Sequence, residues 1–258
     1  MRILLAINLT ILLKPMPEGP SILIISQSLR PFIGKRIKAV HGNTKIDKKR
    51  LVNQKILDVK TWGKHLLICF DGFTLRIHFL MFGTYLINES KSTPLRLSLK
   101  IRKEEINFYT CSVQFLEGDP DQFYDFSADV LSDSWSPRKA TMKLKKIPET
   151  NVCDALLDQQ IFSGVGNIIK NEILFRIKVH PESIIGALPA RIRQKLIKES
   201  RNYSLDFLHW KEEFTLRKHW LVYTKKVCPR DHSKIVKKYL GKTKRRTFFC
   251  ETCQALYD

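Results

Sequence analysis

Apolar residues recur at Ile22, Ile25 and Leu29 until Pro31 interrupts them, a spacing that predicts one short helix just after Met16-Pro17-Glu18-Gly19-Pro20. From Arg36 to about Leu116 the pattern becomes that of strands. His65–Phe70 and Phe73–Phe79 flank Asp71-Gly72, a pair suited to a two-residue type I′ hairpin, and Leu95–Ile101 and Ile106–Leu116 continue the series. Several antiparallel strands in so short a stretch predict a sandwich or a partly closed barrel. Turn-forming residues then dominate: Gly118-Asp119-Pro120-Asp121, Ser134-Trp135-Ser136-Pro137 and the basic run Lys143–Lys146 read as a linker. Beyond it Val152, Ala155 and Leu156, then Ile168, Ile169, Ile173, Leu174 and Ile177, return to helical recurrence, and Pro189–Glu199 reads as a further amphipathic helix. Two short strands, Ile235–Leu240 and Arg245–Phe249, close the chain through Gly241-Lys242-Thr243. The expected architecture is α+β: a β-sandwich domain over 16–133, a linker over 134–150, a helical domain over 151–224 and a terminal hairpin over 225–258.

Charge narrows the partners. The 258 residues carry a formal net charge of +20, so the surface field favours a polyanion, and nucleic acid is the first candidate. From Lys225 to Arg246 there are ten Lys or Arg residues against one acid, Asp231, which sets the terminal hairpin toward phosphate. The apolar stretch Ile3–Leu13, broken by Asn8 and Thr10, is too short to span a bilayer and lacks the small residues of a signal-cleavage site. Translation is expected to begin at Met16, with 1–15 a misassigned upstream extension. A cytoplasmic, nucleoid-associated bacterial protein, monomeric and without a membrane partner, is the corresponding expectation.

Three of the six cysteines gather at the end of the chain, which points to metal chemistry and excludes a disulfide framework. Cys228, His232, Cys250 and Cys253 offer three thiolates and an imidazole, a closed tetrahedral set suited to structural Zn2+. Asp231 competes with His232 for the second position, and His232 is preferred because borderline-soft zinc in a thiolate site commonly takes nitrogen. Cys69, Cys111 and Cys153 lie among apolar residues and are expected in the core. Gly164-Val165-Gly166-Asn167 separates two helical patterns, and a glycine turn that leads into a helix presents unpaired amides to an anion. If the chain begins at Pro17, that residue carries a free secondary amine. Such α-amino groups titrate near about 8, where lysine needs about 10.4, so a neutral, nucleophilic fraction exists at physiological pH. Glu18 beside it is a candidate proton shuttle.

Met16-Pro17-Glu18-Gly19-Pro20, Trp62-Gly63-Lys64-His65-Leu66-Leu67, Leu156-Leu157-Asp158-Gln159 with Gly164–Asn167 and Glu172, and Arg245 ahead of Cys250 together resemble the formamidopyrimidine-DNA glycosylase/endonuclease VIII family. The resemblance implies a bifunctional glycosylase with an N-terminal β-sandwich, a helix–two-turn–helix domain and a zinc hairpin, holding damaged double-stranded DNA between its domains. It implies Pro17 as nucleophile, Glu18 as general acid and base, Lys64 near the phosphate and sugar of the lesion, and Glu172 supporting the nucleophile. Gly164, Gly166, Asn167 and Arg245 would hold phosphate around the extruded nucleotide. Leu80, Met81 and Phe82 would fill the gap left in the stack; their clustering is closer to the endonuclease VIII arrangement and favours oxidised pyrimidines. Ser21 departs from the family, which usually has a second glutamate there. The competing reading is a catalytically silent damaged-DNA-binding protein whose Pro17 stays blocked in an amide; a basic zinc-containing RNA-binding protein would explain the charge but not these motifs.

Overall fold

The computed structural model describes residues 17–258, so the expected upstream extension over 1–15 lies outside the described residues. Pro20 near its first turn and a Glu18 in extended backbone start α1 (Gly19–Leu29), whose Ile22, Ile25 and Leu29 are buried as their spacing requires. Six strands follow: β1 (Ala39–His41), β2 (Asp58–Trp62), β3 (His65–Phe70), β4 (Phe73–Ile87), β5 (Leu95–Ile101) and β6 (Glu104–Glu117). They form one antiparallel sheet in the order β1-β5-β6-β4-β3-β2. β4 and β6 run the length of both halves. Phe73–Phe79 pairs with the end of β6 and Thr84–Ile87 with its start, with a register break between Phe79 and Thr84. There the sheet bends, and residues of both halves, such as Leu66 and Leu75 with Leu99 and Phe108, share one core. At the β3–β4 turn only Gly72 takes a positive φ, 75°, so the turn is not the expected type I′, which needs a left-handed residue at both positions. Glycine accepts that conformation without strain and Asp71 is spared it.

The second core begins at Val130 and takes in α2 (Pro137–Leu144), α3 (Val152–Ala155), α4 (Asn167–Ile177) and α5 (Ala190–Glu212). The stretch 134–150, expected as a linker, holds α2, which Ser136 caps and which buries Ala140 and Leu144. Two prolines and a run of lysines suggested a loop, yet Pro137 occupies the first helical turn, where proline is tolerated. The last helix continues to Glu212, well past the expected Glu199. β7 (Val236–Leu240) and β8 (Arg245–Phe249) pair as a hairpin against α4. Among the described residues no helix is long and apolar enough to cross a membrane.

Three consecutive polar residues in α4, Lys170, Asn171 and Glu172, are buried at 1% exposure or less. Each has partners. Asn171 Oδ1 accepts the Phe248 amide at 2.7 Å. Both Glu172 oxygens are taken by backbone N–H groups, those of Leu221, Val222 and Tyr223 at 2.9, 3.0 and 2.8 Å. Glu172→Ala would leave three donors unpaired, and burying an unmatched amide costs about 1–3 kcal/mol each. We expect that variant to lose at least about 3 kcal/mol of stability in urea unfolding; a loss below about 1 kcal/mol would mean that the 221–223 segment finds other acceptors.

Candidate active site

The two cores meet where the start of the described chain crosses the Gly164–Asn167 turn. The Gly19 amide donates to the Gly164 carbonyl at 2.9 Å, and a Cβ on Gly19 would stand 2.7 Å from Gly164 Cα. A side chain on Gly63 would meet Ser163 Oγ at 2.1 Å and Gly164 N at 2.7 Å. Gly63 and Gly164 also have φ of +51° and +95°, a region that L side chains avoid. Three backbones can therefore touch only because none of them carries a side chain.

Through that contact Glu18 reaches the start of α4. Its carboxylate accepts the Ile168 amide at 2.7 Å and the Ile169 amide at 3.2 Å, and a Cβ on Gly166 would fall 2.3 Å from its Cδ. The positive end of the helix faces the acid. Burial nevertheless dominates and pushes the Glu18 carboxyl up, against the downward pull of Lys64 and of the Gly166, Ile168 and Ile169 amides. A carboxyl so placed holds a proton more readily than an exposed one. Half-buried Pro17 precedes it.

Lys64 stands between two charges. Burial lowers its pKa first; Glu18 opposes that shift and Arg245 adds to it, which puts Lys64, Glu18 and Arg245 in one electrostatic neighbourhood. Arg245 opens β8, and Asn167, the first residue of α4, donates to the adjacent Arg246 carbonyl at 2.8 Å. Pro17, Glu18, Lys64, Gly164, Gly166, Asn167 and Arg245 thus gather at one junction. The hydrogen bonds of Glu172 run to 221–223, so it braces the chain that enters the hairpin. Leu80, Met81 and Phe82 are 44%, 58% and 48% exposed, at the register break of β4, with Phe82 at φ 66°. They project from the strand and do not pack in the core.

At the hairpin base Cys228, Asp231, Cys250 and Cys253 bring one ligand atom each within 4.8 Å of the others. His232 is exposed, at φ 59°, with its amide bonded to the Cys228 carbonyl. The preference for His232 is corrected accordingly: the tight turn after Cys228 returns the residue three positions on, as Cys250 and Cys253 do on the other side, and that residue is Asp231. The Cys228 and Cys253 sulfurs lie 3.8 Å apart, the edge of a tetrahedron with metal–sulfur bonds of about 2.3 Å. The set fits a metal ion.

Sequence reasoning missed the residues that set the Lys64 turn. Asp129, buried, accepts the Gly63 amide at 2.7 Å and the Leu131 amide at 2.9 Å. Arg201 from α5 holds the same segment by donating to the Val130 and Ser132 carbonyls. After Lys64, His78 Nδ1 donates to the Lys64 carbonyl at 3.2 Å, while His65 Nδ1 meets the Tyr124 hydroxyl at 3.1 Å. An acid set between apolar neighbours, as in Ala128-Asp129-Val130, was the available signal.

His65 is pushed down from 6.5 to about 4, first by burial and then by His78, Arg76 and Lys64. Between those values the unfolded chain binds a proton that the folded chain refuses, so stability falls as pH drops from about 6.5 to about 4. Thermal melts across that window should show the fall, and His65→Phe should flatten it; an unchanged slope in the variant would assign the acid lability to other groups.

Two family models match the chain. The formamidopyrimidine-DNA glycosylase N-terminal domain matches residues 16–115, and the formamidopyrimidine-DNA glycosylase H2TH domain matches 126–202. Endonuclease 8-like 3 of Mus musculus is 35% identical over 206 residues, which cover 76% of this chain and 34% of that protein. The chain thus spans about a third of the length of that relative. The DNA-(apurinic or apyrimidinic site) lyase Nei2 of Mycolicibacterium smegmatis is 28% identical over 192 residues, 70% of this chain and 75% of that protein. Among solved structures, the Lactococcus lactis formamido-pyrimidine DNA glycosylase non-covalently bound to DNA with an AP site superposes with a TM-score of 0.81 at 21% identity, over 92% of this chain and 99% of the other. With both domain models matched in order and the Pro17–Gly166 junction built from the residues that first suggested the likeness, the chain belongs to the formamidopyrimidine-DNA glycosylase/endonuclease VIII family.

Proposed function

We propose that this protein is a DNA glycosylase with AP lyase activity that removes oxidised bases, pyrimidines in preference, from double-stranded DNA in base-excision repair. The observation that carries the reading is half-buried Pro17 next to Glu18, whose buried carboxyl accepts the Ile168 and Ile169 amides, with Lys64 in the same electrostatic neighbourhood at the junction of the two domains. In this reading the functional chain begins at Pro17. Its amine lone pair forms a bond to C1′ of the damaged nucleotide, the bond from C1′ to the base breaks, and the base leaves with its electron pair and a proton. Glu18 then protonates the ring oxygen as the O4′–C1′ bond opens, leaving an iminium link between Pro17 and the sugar. Loss of a C2′ proton expels the 3′ phosphate, and a second elimination expels the 5′ phosphate. Lys64, Asn167 and Arg245 bind and orient the flanking phosphates, and Leu80, Met81 and Phe82 occupy the stack vacated by the everted base. The exposed, clustered wedge supports the preference for pyrimidines.

The metal of the hairpin is proposed to be structural zinc on Cys228, Asp231, Cys250 and Cys253; when bound it supplies fixed geometry, not chemistry at the lesion. Cys250→Ser, or removal of zinc by a chelator, should loosen the hairpin and weaken binding of an abasic-site duplex by about tenfold or more while the β-sheet domain keeps its fold by circular dichroism. Undiminished binding by the metal-free protein would overturn the zinc assignment.

Borohydride trapping on an abasic-site duplex tests the nucleophile. A protein that begins at Pro17 should form a covalent adduct, whereas the chain that retains 1–16 should bind the duplex but form none, because an amide nitrogen cannot become an iminium. A Pro17-initiated protein that binds without trapping would leave the silent damage-binding reading in possession. Arg245→Ala should weaken binding about tenfold and reduce its salt slope by about one; no change in either would take the hairpin off the DNA.

A further inference from the structure

Lys170 stands out among the buried groups that this chemistry does not use. It is 1% exposed in the middle of α4, with no carboxylate in ion-pair contact among the described residues, and its Nζ donates to Thr247 Oγ1 on β8 at 2.8 Å. Thr247 Oγ1 in turn donates to the Arg245 carbonyl at 3.0 Å. A fully buried lysine is rare and costly, because the ammonium loses its water for one hydroxyl partner. Burial pushes its pKa down to about 8. The groups that face it are Cys153 and Asp154 from α3 and Glu18, which hold the charge in place, and Arg245 from β8, which opposes it. A methionine of similar length would fill the same space without that cost, so stability is a poor reason for a lysine here.

Nor is it needed to dock the hairpin. Asn167 holds the Arg246 carbonyl, Asn171 the Phe248 amide, and Asp154 the Lys242 amide at 3.0 and 3.1 Å. What Lys170 and Thr247 add to those grips is a hold on Arg245 itself. We infer that Lys170 is a positioning residue for DNA binding: through the Thr247 hydroxyl it fixes the backbone of Arg245, so that the guanidinium meets the phosphate beside the lesion in a set orientation. The inference rests on the proposal that Arg245 contacts DNA.

The test is a set of double-mutant cycles on the affinity for an abasic-site duplex, with melting temperature measured alongside. Lys170→Met breaks the relay at its start, and Thr247→Val, of nearly the same shape, breaks it in the middle. Each should weaken binding about threefold to tenfold, no more than the loss of Arg245 itself, while the melting temperature of Lys170→Met stays level or rises. Neither should weaken binding further in an Arg245→Ala background, and Thr247→Ser should restore wild-type affinity. If Arg245→Ala weakens binding but Lys170→Met and Thr247→Val do not, or if their effects add to it, the relay is overturned and the DNA reading stands. If Arg245→Ala itself has no effect, that reading fails and the inference fails with it.

Discussion

The structure depends on one carboxylate lying across the end of one helix. Glu18 accepts two amides at the start of α4, and it can reach them only because Gly19 lies against Gly164 and Gly166 leaves room for the acid. A methyl group on Gly19 would meet Gly164 Cα at 2.7 Å, and one on Gly166 would meet the Glu18 carboxyl carbon at 2.3 Å, so either would break the contact between acid and helix. The same interaction sets the state of the acid: the amides and Lys64 favour the charge, burial disfavours it more, and the result is a carboxyl poised to give and take a proton. Architecture and chemistry are one arrangement here, since the hydrogen bonds that join the two cores are also those that tune the group beside Pro17.

From that point α4 distributes order outward. Its first residue holds the strand that carries Arg245, Lys170 and Asn171 hold the residues after it, and Glu172 holds the segment that leads into the hairpin. Asp129 does the same for the Lys64 turn from the other side. Nearly all of these grips take backbone groups: the Gly63 amide, the Arg246 carbonyl, the Phe248 amide and the amides of 221–223. Backbone recognition fixes the points from which Lys64 and Arg245 extend.

Much of this was legible in the sequence because it follows from local rules. The α1 pattern, the β3–β4 hairpin and the terminal strands fell where apolar spacing and turn residues put them, and Pro17, Glu18, Lys64 and the Gly164–Asn167 turn were recognisable as a set. What was not legible depends on partners far along the chain. The burial of Lys170 and Glu172 is invisible to periodicity, because a lysine and a glutamate in a helix read as solvent-facing until the hairpin and the 221–223 segment arrive to bond them. The resemblance alone implied a role for Glu172 in supporting the nucleophile; the three backbone donors of a later loop that bond its carboxylate leave no mark in the local pattern. The helix over 137–144 was hidden by a proline that starts it, and the choice between Asp231 and His232 turned on backbone geometry that ligand preference alone does not encode.

The burial of charge around α4 also bears on how the fold tolerates these groups. Glu18, Lys64, Asp129, Lys170 and Glu172 are all drawn away from water, and each is shifted toward its neutral form by that burial. Such groups weaken a fold unless donors or acceptors replace the lost water; backbone amides do so for Glu18, Asp129 and Glu172, and the Thr247 hydroxyl does so for Lys170. A site made from side-chain pairs alone would neutralise itself. Set against fixed backbone dipoles, Glu18, Asp129 and Glu172 are held by amides, and the chain's formal net charge of +20 still favours a polyanion at the surface.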